Sequence, residues 1–406
     1  MPGAARGTHS EAYGVIVLEK FESIKERDQS YIMHTYGRSE ICLVKGEGSV
    51  VTDSEGMDYI DFTSGIGVNS LGFCDPDWVG AVAGQAGKLQ HTSNLYYTLP
   101  CGELAETLCK RTGYGKVFFG NSGAEANEAA IKLARKYSFD KYGAGRDKIV
   151  TLINSFHGRT VTTLAATGQE VFHNFFFPFT GGFAYAPAGD IEALKAACGE
   201  DACAVMLEFV QGEGGVVPLD KGYVEAVAAF CKERDILLIA DEVQTGIGRT
   251  GTLLASEQYG VKPDVTTLAK GLGGGLPVGA CLCTKELEGV MGPSSHGSTF
   301  GGNPVCCAGA NVVLRKMDED FLKSVREKGE WVRKTIAEAG YTVTGLGLMT
   351  GILPKTGSSA EVRAKAEKEG LLVLTAKERV RLLPPLTIGW EELKMGVKIL
   401  LKALDD

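Results

Sequence analysis

Long apolar segments and an excess of basic residues are both missing from this sequence. Its longest apolar runs, such as Ile236 to Ala240, fall far short of the ~20 residues that a membrane-spanning helix needs. Lysine and arginine number 42 against 50 acidic residues, and the net charge of −8 includes no basic stripe or block of like charges. These features argue against a membrane protein and against a surface for nucleic acid or anionic lipid.

Patterned cysteine and histidine are missing as well. The eleven cysteines form no C-x-x-C pair, and the six histidines show no H-x-x-x-H spacing. This usage predicts reduced thiols in a cytosolic enzyme, most of them buried as small apolar residues, and it predicts no metal site. Near the N-terminus only Val15 to Leu18 is continuously apolar, so we expect no secretory or transit peptide and a cytoplasmic location.

What is present is the composition of a globular protein. Hydrophobic residues make up 44% and charged residues 23% of the chain, which are ordinary values for a folded domain. Between Lys116 and Thr284, helical stretches alternate with six β-rich runs: KVFF, KIVTLI, CAVMLEF, ILLIADE, DVTTLA and GACLCT. Continuous apolar strands separated by helices predict an α/β fold with a mostly parallel sheet that is covered on both faces.

The two ends of the chain follow a different pattern. The early stretch GSVVTDSEGMDYIDF alternates like a hairpin or meander. Near the C-terminus, Asp318 to Gly340 and Ser358 to Gly370 are amphipathic and flank a short strand-like segment. We therefore predict a large domain over residues 71–304 and a smaller α+β domain to which both termini contribute, with residues 1–70 and 305–406.

The stretch KVFFGNSGAEANEAAIKLARK predicts a strand followed by a long helix. Ser122 and Glu125 have the spacing of a capping box. The N–H groups of Ser122, Gly123 and Ala124 would then face the ligand edge of the sheet, where a helix N-terminus favours phosphate. A plain structural cap is one alternative. The nucleophile elbow of a serine hydrolase is another, but Ala124 occupies the last glycine position of that motif.

Asp241 and Glu242 follow the buried run ILLIA, at the edge where α/β sheets bind ligands. A buried carboxylate at this edge requires a cationic partner.

Directly afterwards, Gly246 to Gly251 (GIGRTG) matches the G-x-G-x-x-G spacing of nicotinamide-dependent dehydrogenases. The match lacks its context, since the residues after it are a poor helix start and Thr266 to Gly271 contains no acid for the ribose.

Lys270 stands alone after the apolar strand DVTTLA, with a glycine-rich loop behind it. Partial desolvation there lowers the pKa of the amine and makes it nucleophilic towards an aldehyde, whereas an exposed loop lysine is the alternative. An anion site, a carboxylate for a ring nitrogen and an amine for an aldehyde are what pyridoxal 5′-phosphate requires. The three strand ends together therefore predict this cofactor.

The sequence resembles the class III (ornithine-type) pyridoxal-phosphate-dependent aminotransferases, in register from about Tyr36 to Leu386. The matching motifs include NSGAEANEAAIKLAR, SFHGRT, QGEGG, DEVQTGIGRTG, TLAKGLGGGLP, GSTFGGNP and RLLPPL. The resemblance implies a type I pyridoxal-phosphate fold, with a large cofactor domain and a small domain formed by both termini. It also implies a homodimer with sites at the interface, acting on small amino-acid and 2-oxo-acid substrates.

The resemblance implies a role for each cofactor residue. Lys270 would be linked to the cofactor aldehyde and later move protons, and Asp241 would pair with the ring nitrogen. The other implied cofactor residues are Ser122, Gly123 and Ala124 at the phosphate, Phe156 and Val243 on the two ring faces, Gln244 at the phenolic oxygen, Glu242 beside them, and Thr299 reaching the phosphate from the partner subunit.

Substrate recognition is implied by two arginines that match the carboxylate clamps of the family. Arg381 would hold the α-carboxylate of glutamate or 2-oxoglutarate, and Glu213 would neutralise it while the terminal-amine substrate is bound. Arg159 would hold a carboxylate distant from the reacting end, and Ser298 would lie near the substrate.

The implied reaction converts N2-acetyl-L-ornithine and 2-oxoglutarate to N-acetyl-L-glutamate 5-semialdehyde and L-glutamate, a step of arginine biosynthesis. Succinylornithine, N-succinyl-diaminopimelate and free ornithine are the alternative amino donors. Three departures from the usual motifs, Asp75, Phe209 and Thr344, lie outside the cofactor set and bear on substrate choice. His157 is predicted to have a structural role.

Overall fold

The computed structural model describes residues 20–405. Its strands are β1 (Leu43–Glu47), β2 (Val50–Asp53), β3 (Asp58–Asp61), β4 (Lys116–Gly120), β5 (Lys148–Leu152), β6 (Phe183–Ala186), β7 (Ala202–Leu207), β8 (Val210–Gln211), β9 (Val217–Pro218), β10 (Leu237–Asp241), β11 (Val265–Leu268), β12 (Gly279–Cys283), β13 (Thr342–Leu346), β14 (Met349–Leu353), β15 (Leu371–Leu372), β16 (Leu374–Ala376) and β17 (Arg379–Leu382).

The helices are α1 (Phe21–Tyr31), α2 (Ser64–Gly67), α3 (Pro76–Ala86), α4 (Leu99–Thr112), α5 (Gly123–Tyr142), α6 (Val161–Ala166), α7 (Ile191–Cys198), α8 (Lys221–Arg234), α9 (Ser256–Tyr259), α10 (Pro304–Lys316), α11 (Glu319–Glu338), α12 (Ser359–Lys368) and α13 (Trp390–Asp405). Short 3₁₀ turns occur at Ser93–Leu95, Glu170–Phe172, Lys270–Leu272 and Lys285–Leu287. Among residues 20–405, none of these helices is long and apolar enough to cross a membrane.

A seven-stranded sheet in the order β4-β12-β11-β10-β7-β5-β6 forms the largest layer of the fold. β12 pairs antiparallel with both of its neighbours, whereas the other pairs are parallel. All six predicted runs are strands, and the prediction of an α/β fold with a mostly parallel sheet is confirmed. The sequence analysis did not identify β6, because its apolar run FAYA has only four residues and, at the sheet edge, buries only Ala186 fully.

Strand β10 shows how side chains are sorted between the two faces of the sheet. Leu237 and Ile239 pack in one cluster with the alanine-rich side of α5, whereas Leu238 and Ala240 pack in another with α8. Because side chains alternate along a strand, Asp241 at its end lies on the α5 side. The next residue, Glu242, points to the opposite side of the sheet. Of these two carboxylates, only that of Asp241 can therefore reach a ligand on the α5 side.

The N- and C-terminal parts of the chain pair directly. β15 lies parallel to β3 and completes the sheet β1-β2-β3-β15, and Gly396 of α13 leaves room for the Phe62 ring, which a Cβ would overlap. The strand-like segment predicted between the C-terminal helices is the hairpin β13–β14. This pairing suits a small domain made from both termini. The boundaries at 1–70, 71–304 and 305–406 stay predictions, and residues 1–19 lie outside the described part.

The glycine-rich segment Gly246–Gly251 is a buried turn. Gly248 and Gly251 have φ of +83° and +93°, where residues with a Cβ are strained, and a Cβ on Gly248 would lie 2.9 Å from the Met317 sulfur. The only helix that follows closely is the four-residue α9. The segment therefore lacks the glycine-to-helix geometry of a dinucleotide site, and it packs into the core instead.

Arg249, in the middle of this turn, joins distant parts of the chain. Its buried guanidinium donates from Nη1 to the carbonyl oxygens of Leu348 (2.9 Å) and Pro384 (2.6 Å) and from Nη2 to Ser64 Oγ (3.4 Å). The Leu348 N–H donates back to the Arg249 carbonyl at 3.0 Å. One side chain thus ties the loop after β10 to both terminal parts.

Replacing Arg249 should therefore destabilise the whole fold. We expect Arg249→Leu to lower the free energy of unfolding by ~3 kcal/mol, because two buried carbonyl groups lose their donors. Urea unfolding followed by circular dichroism measures this change. Arg234→Leu is the control, since Arg234 pairs with Glu200 on the surface and its loss should leave the midpoint nearly unchanged. Equal midpoints for both variants would contradict the bridging role.

Candidate active site

The carboxyl ends of β4, β10 and β11 open into one cavity of about 430 Å³. Ser122, Asp241 and Lys270, which follow or end three separate predicted strands, all line it. Ligands of open α/β sheets bind at this edge of the strands. The other predicted cofactor residues in the wall of the cavity are Gly123, Ala124, Phe156, Val243 and Gln244.

The start of α5 offers backbone N–H groups to the cavity. Ser122 caps the helix by accepting from the Glu125 N–H at 3.2 Å, but the Glu125 carboxylate returns to the N–H of Asn121 at 3.0 Å, one residue earlier than in a capping box. Within residues 20–405, no hydrogen bond uses the N–H of Ser122, Gly123 or Ala124. These three donors are available to an anion.

The same helix start allows close approach to the opposite wall. A Cβ on Gly123 would lie 2.6 Å from Val243 Cγ1, so only glycine fits beneath that side chain. Gly158 has φ +141°, and a Cβ there would lie 2.9 Å from the Ala124 Cβ. Small residues therefore allow the helix start to pack directly against Val243 after β10 and against the loop of Gly158.

Asp241 is buried and held by several donors. Its Oδ2 accepts from Asn127 Nδ2 at 2.8 Å and lies 2.8 Å from His157 Nδ1, and its Oδ1 accepts from the Val243 N–H at 3.0 Å. In the described part of the chain, no lysine or arginine forms an ion pair with it. The carboxylate is therefore fixed in place, and the basic side chain that contacts it is the imidazole of His157.

Glu242 lies outside the cavity. Its carboxylate accepts from the N–H groups of Ala255 (2.5 Å) and Ser256 (2.9 Å) and from Thr245 Oγ1 (3.2 Å), on the opposite face of the sheet. Burial raises the pKa of this carboxyl group to about 7. The structure thus gives Glu242 a role in anchoring the loop before α9, and strand alternation explains why it does not contact the cavity.

Lys270 is the amine of the cavity. It begins a 3₁₀ turn directly after β11 with φ +43°, a left-handed conformation that is uncommon for residues with a side chain. Burial lowers the pKa of the Lys270 amine to about 8, with Arg381 acting in the same direction and Glu213 opposing it. About a tenth of the amine is therefore neutral, and hence nucleophilic, at pH 7, and about half of it is neutral near pH 8.

Phe156 is positioned by a carboxyl group that the sequence did not reveal. Its N–H donates to Glu208 Oε2 at 3.0 Å, while Glu208 Oε1 accepts from the Gly212 N–H at 3.4 Å. Burial, followed by the charge of Asp241, raises the pKa of Glu208 well above its usual range. Glu208 thus connects the loop of Phe156 to the loop of Glu213.

Arg381 reaches the site from β17 and is nearly fully buried. Its Nη1 pairs with Glu213 Oε1 at 2.6 Å and donates to Gln244 Oε1 at 3.2 Å, whereas its Nε has no partner within residues 20–405. Burial opposes the charge of Glu213, but Arg381 outweighs that effect and holds the pKa of Glu213 below its usual value. The charge of Arg381 is thus neutralised by the carboxylate of Glu213, which lies on a loop.

The remaining predicted residues lie at the rim. Arg159 is exposed, and its guanidinium lies 4.0 Å from the centre of the Phe172 ring. Ser298 accepts from Asn121 Nδ2 at 3.2 Å, close to the start of α5. Thr299 is exposed and does not line the cavity of its own chain.

Two side chains that support the site, those of Asn127 and Glu208, were not predicted from the sequence. Asn127 is a buried polar residue on α5, one turn beyond Gly123, and it binds both Asp241 and the His157 carbonyl group. Its helical spacing from the phosphate site could have indicated it. Glu208 could not have been found this way, because its two partners come from separate loops. Within residues 20–405, no cluster of histidine, cysteine and acidic side chains could hold a metal ion.

Comparison with known proteins covers nearly the whole chain. The profile of the family Aminotransferase class-III matches residues 31–404. An acetylornithine aminotransferase of Haemophilus ducreyi is 52% identical over 389 residues, which are 95% of this chain and 99% of the relative. One from Caldanaerobacter subterraneus subsp. tengcongensis is 49% identical over 381 residues, 92% of this chain and 97% of its own.

Solved structures agree with the fold. An ornithine aminotransferase from Toxoplasma gondii superposes with a TM-score of 0.92 at 32% identity, covering 99% of this chain and 98% of its own. An acetylornithine aminotransferase from Elizabethkingia anophelis superposes with a TM-score of 0.84 at 34% identity, covering 95% and 99%.

The lowered pKa of Lys270 predicts a specific pH dependence of its reactivity. In protein treated with hydroxylamine to release any aldehyde linked to lysine and then dialysed, acetylation of Lys270 should rise through pH 8, because the neutral amine is already populated there, whereas an ordinary lysine titrates near pH ~10.4. Mass spectrometry of tryptic peptides after brief acetic anhydride treatment measures this, with exposed lysines as the internal reference. A Lys270 curve that follows the exposed lysines would contradict the shift.

Proposed function

Because the chain belongs to the class III aminotransferases, we propose that it transfers the terminal amino group of N2-acetyl-L-ornithine to 2-oxoglutarate. The products would be N-acetyl-L-glutamate 5-semialdehyde and L-glutamate, and the reaction is a step of arginine biosynthesis. The observation that carries this proposal is the contrast between two arginines at one site. Arg381 is masked by Glu213, whereas Arg159 forms no ion pair in the described part of the chain.

Pyridoxal 5′-phosphate is the cofactor of this family, and the residues of the cavity fit it. The three unused N–H groups at the start of α5 suit its phosphate, and Asp241 suits a protonated ring nitrogen. Phe156 and Val243 would cover the two faces of the ring, and Gln244 would bind its phenolic oxygen. When bound, the cofactor supplies an electron sink for the carbanion at the substrate carbon.

Lys270 would provide both the covalent anchor and the proton transfer. Its amine lines the same cavity as Asp241, and its pKa of about 8 leaves a neutral fraction that can attack an aldehyde. As a free amine with a pKa of about 8, Lys270 would also be a base suited to work near neutral pH. That match makes a general base efficient at removing a proton from the substrate carbon.

Glu213 would allow one site to accept two different substrates. While the terminal amine of the donor reacts, Glu213 pairs with Arg381, so no carboxylate is attracted to the reacting end. Glutamate and 2-oxoglutarate react next to a carboxylate, which would displace Glu213 and bind Arg381. Gln244, which already contacts Arg381 at 3.2 Å, would keep the guanidinium oriented during this exchange.

Arg159 would set the length of the substrates. It lies at the rim and would bind the carboxylate at the far end from the reacting carbon, both in acetylornithine and in glutamate. Free ornithine is the second candidate donor, because the ornithine aminotransferase of Toxoplasma gondii superposes with a TM-score of 0.92. Succinylornithine would place a carboxylate at the same distance as acetylornithine, whereas N-succinyl-diaminopimelate would place it one carbon farther away.

A panel of amino donors tests this function. With 2-oxoglutarate as acceptor, we expect kcat/KM for N2-acetylornithine to exceed the values for ornithine, succinylornithine and N-succinyl-diaminopimelate, since only the acetyl group leaves Arg159 a single carboxylate and no added charge. Lys270→Ala serves as the control and should abolish turnover with every donor. A preference for any other member of the panel would refute the acetylornithine assignment and leave the aminotransferase class intact.

We also propose a homodimer, because large apolar side chains are exposed beside the site. Leu95, Tyr96, Tyr97 and Leu99 are exposed by 78, 72, 106 and 74%. Asn94 ties this segment to residues 298–301, since its Nδ2 donates to the carbonyl oxygens of Ser298 and Gly301 at 2.9 Å. A patch of this kind marks a protein interface, and a partner covering it would come close to Thr299.

The dimer can be tested by weakening this patch. Light scattering after size exclusion should give twice the chain mass of 43.1 kDa for the wild type and a single chain mass for a variant carrying both Leu95→Asp and Tyr97→Asp. Phe139→Asp is the control, because Phe139 is also exposed but lies on α5, and it should remain dimeric. A monomeric wild type would disprove the proposal.

A cytoplasmic location is proposed on the basis of the thiols. All eleven cysteines are free in the structure, as expected for a protein kept in a reducing compartment. Cell fractionation is the check.

A further inference from the structure

The two arginines of the site are held in different ways. Arg381 is buried and fixed by Glu213 and Gln244. Arg159 is exposed and makes no hydrogen bond or ion pair within residues 20–405. Its guanidinium carbon instead lies 4.0 Å from the centre of the Phe172 ring and 5.5 Å from that of Phe156. Aromatic faces take the place of polar partners.

Phe172 is itself held firmly. It ends the 3₁₀ turn Glu170–Phe172, and its N–H donates to the Gln169 carbonyl group at 3.1 Å. Gln169 Nε2 donates to the Ser155 carbonyl oxygen at 2.9 Å, and His173 Nε2 lies 3.0 Å from the Leu164 carbonyl oxygen. The segment that carries Phe172 is therefore bonded to the loop that carries Phe156 and Arg159.

The side chains of Arg159, Phe172 and Phe156 form one cluster at the rim of the cavity. The rings of Phe172 and Phe156 meet edge to face, with centres 6.0 Å apart and planes at 75°. Edge-to-face contact is a favoured arrangement of aromatic rings. Phe156 lines the cavity, so the contacts of Phe172 connect Arg159 to the cavity wall.

A cation–π contact suits an arginine that has to bind a carboxylate. The ring attracts the guanidinium without using any of its five N–H donors, which all stay available for a ligand. A protein carboxylate in the same place would compete with the substrate, as Glu213 does at Arg381. An arginine without any contact would instead lose rotamer freedom on binding, which weakens affinity.

We propose that Phe172 is a positioning residue that holds Arg159 in the orientation needed to bind the substrate carboxylate farthest from the reacting carbon. The inference deepens the proposed function and rests on it for the identity of the substrate. It predicts that the ring of Phe172 matters only for ligands that carry this carboxylate.

Kinetics with two donors that differ only in the carboxylate test the proposal. For Phe172→Leu we expect KM for N2-acetylornithine to rise about fivefold with kcat unchanged, the factor that an exposed cation–π contact is worth. With N-acetylputrescine, which lacks only that carboxylate, kcat/KM should match the wild type. An equal loss with both donors would overturn the proposal, because Phe172 would then act through Phe156 or through folding.

Ligand binding provides a readout without turnover. Calorimetric titration of the holoenzyme with glutarate should give a dissociation constant about fivefold higher for Phe172→Leu than for the wild type. Phe172→Tyr keeps an aromatic face and should bind glutarate like the wild type. Phe175→Leu is the matched control, because Phe175 belongs to the same segment and is 89% exposed, and it should also leave the affinity unchanged. Unchanged glutarate affinity in Phe172→Leu would overturn the proposal.

The two proposals can fail separately. A wild-type enzyme that prefers another donor over N2-acetylornithine refutes the proposed substrate, yet the glutarate titration still decides the role of Phe172. Conversely, full activity with acetylornithine and no effect of Phe172→Leu on either readout leaves the proposed function standing and refutes the positioning role.

Discussion

The side-chain amide of Asn127 is the interaction on which the geometry of the site depends. Its Nδ2 donates to Asp241 at 2.8 Å and to the His157 carbonyl group at 2.7 Å, and its Oδ1 accepts from Thr267 Oγ1 at 2.7 Å. One buried amide thus joins α5, the end of β10, the strand that leads to Lys270 and the loop after β5. Because buried polar groups are costly unless bonded, these elements keep a single arrangement. The anion site and the acid are set at a fixed distance by the same helix.

The charged groups of the site act on one another through a series of neighbouring side chains. Asp241 contacts His157 and forms no ion pair with a lysine or arginine in the described part of the chain, and its charge is the second cause, after burial, of the raised pKa of Glu208. Arg381 lowers the pKa of Glu213 and, together with burial, that of Lys270. Burial and these neighbouring charges therefore shift three pKa values in the site: that of Glu208 upwards, that of Glu213 downwards and that of Lys270 down to about 8.

The sequence predicted the strands of the main sheet better than the side-chain contacts within the site. Strong apolar runs identified six strands of the main sheet, and the rule that ligands bind at their carboxyl ends brought Ser122, Asp241 and Lys270 together correctly. The position of Glu242 was harder to predict, because adjacent residues of a strand face opposite sides of the sheet and the sequence does not indicate which side binds the ligand. Glu208 depends on contacts between separate loops, which no local pattern encodes. The class III resemblance is confirmed by the family match over residues 31–404.

The segment GIGRTG shows why glycine spacing alone is a weak guide to phosphate binding. A turn packed into a core needs glycine for positive φ and close approach, just as a phosphate loop does. The two cases differ in where the backbone donors go. In this turn the N–H groups of Gly246 and Gly251 already donate to the carbonyl oxygens of Glu242 and Gly248, both at 2.9 Å, so they have none to offer an anion. At the start of α5 the donors are unused, and the motif there contains one fewer glycine. The hydrogen bonding of the backbone N–H groups therefore distinguishes an anion site, where they are unused, from a structural turn, where they are used. The residue pattern alone does not make this distinction.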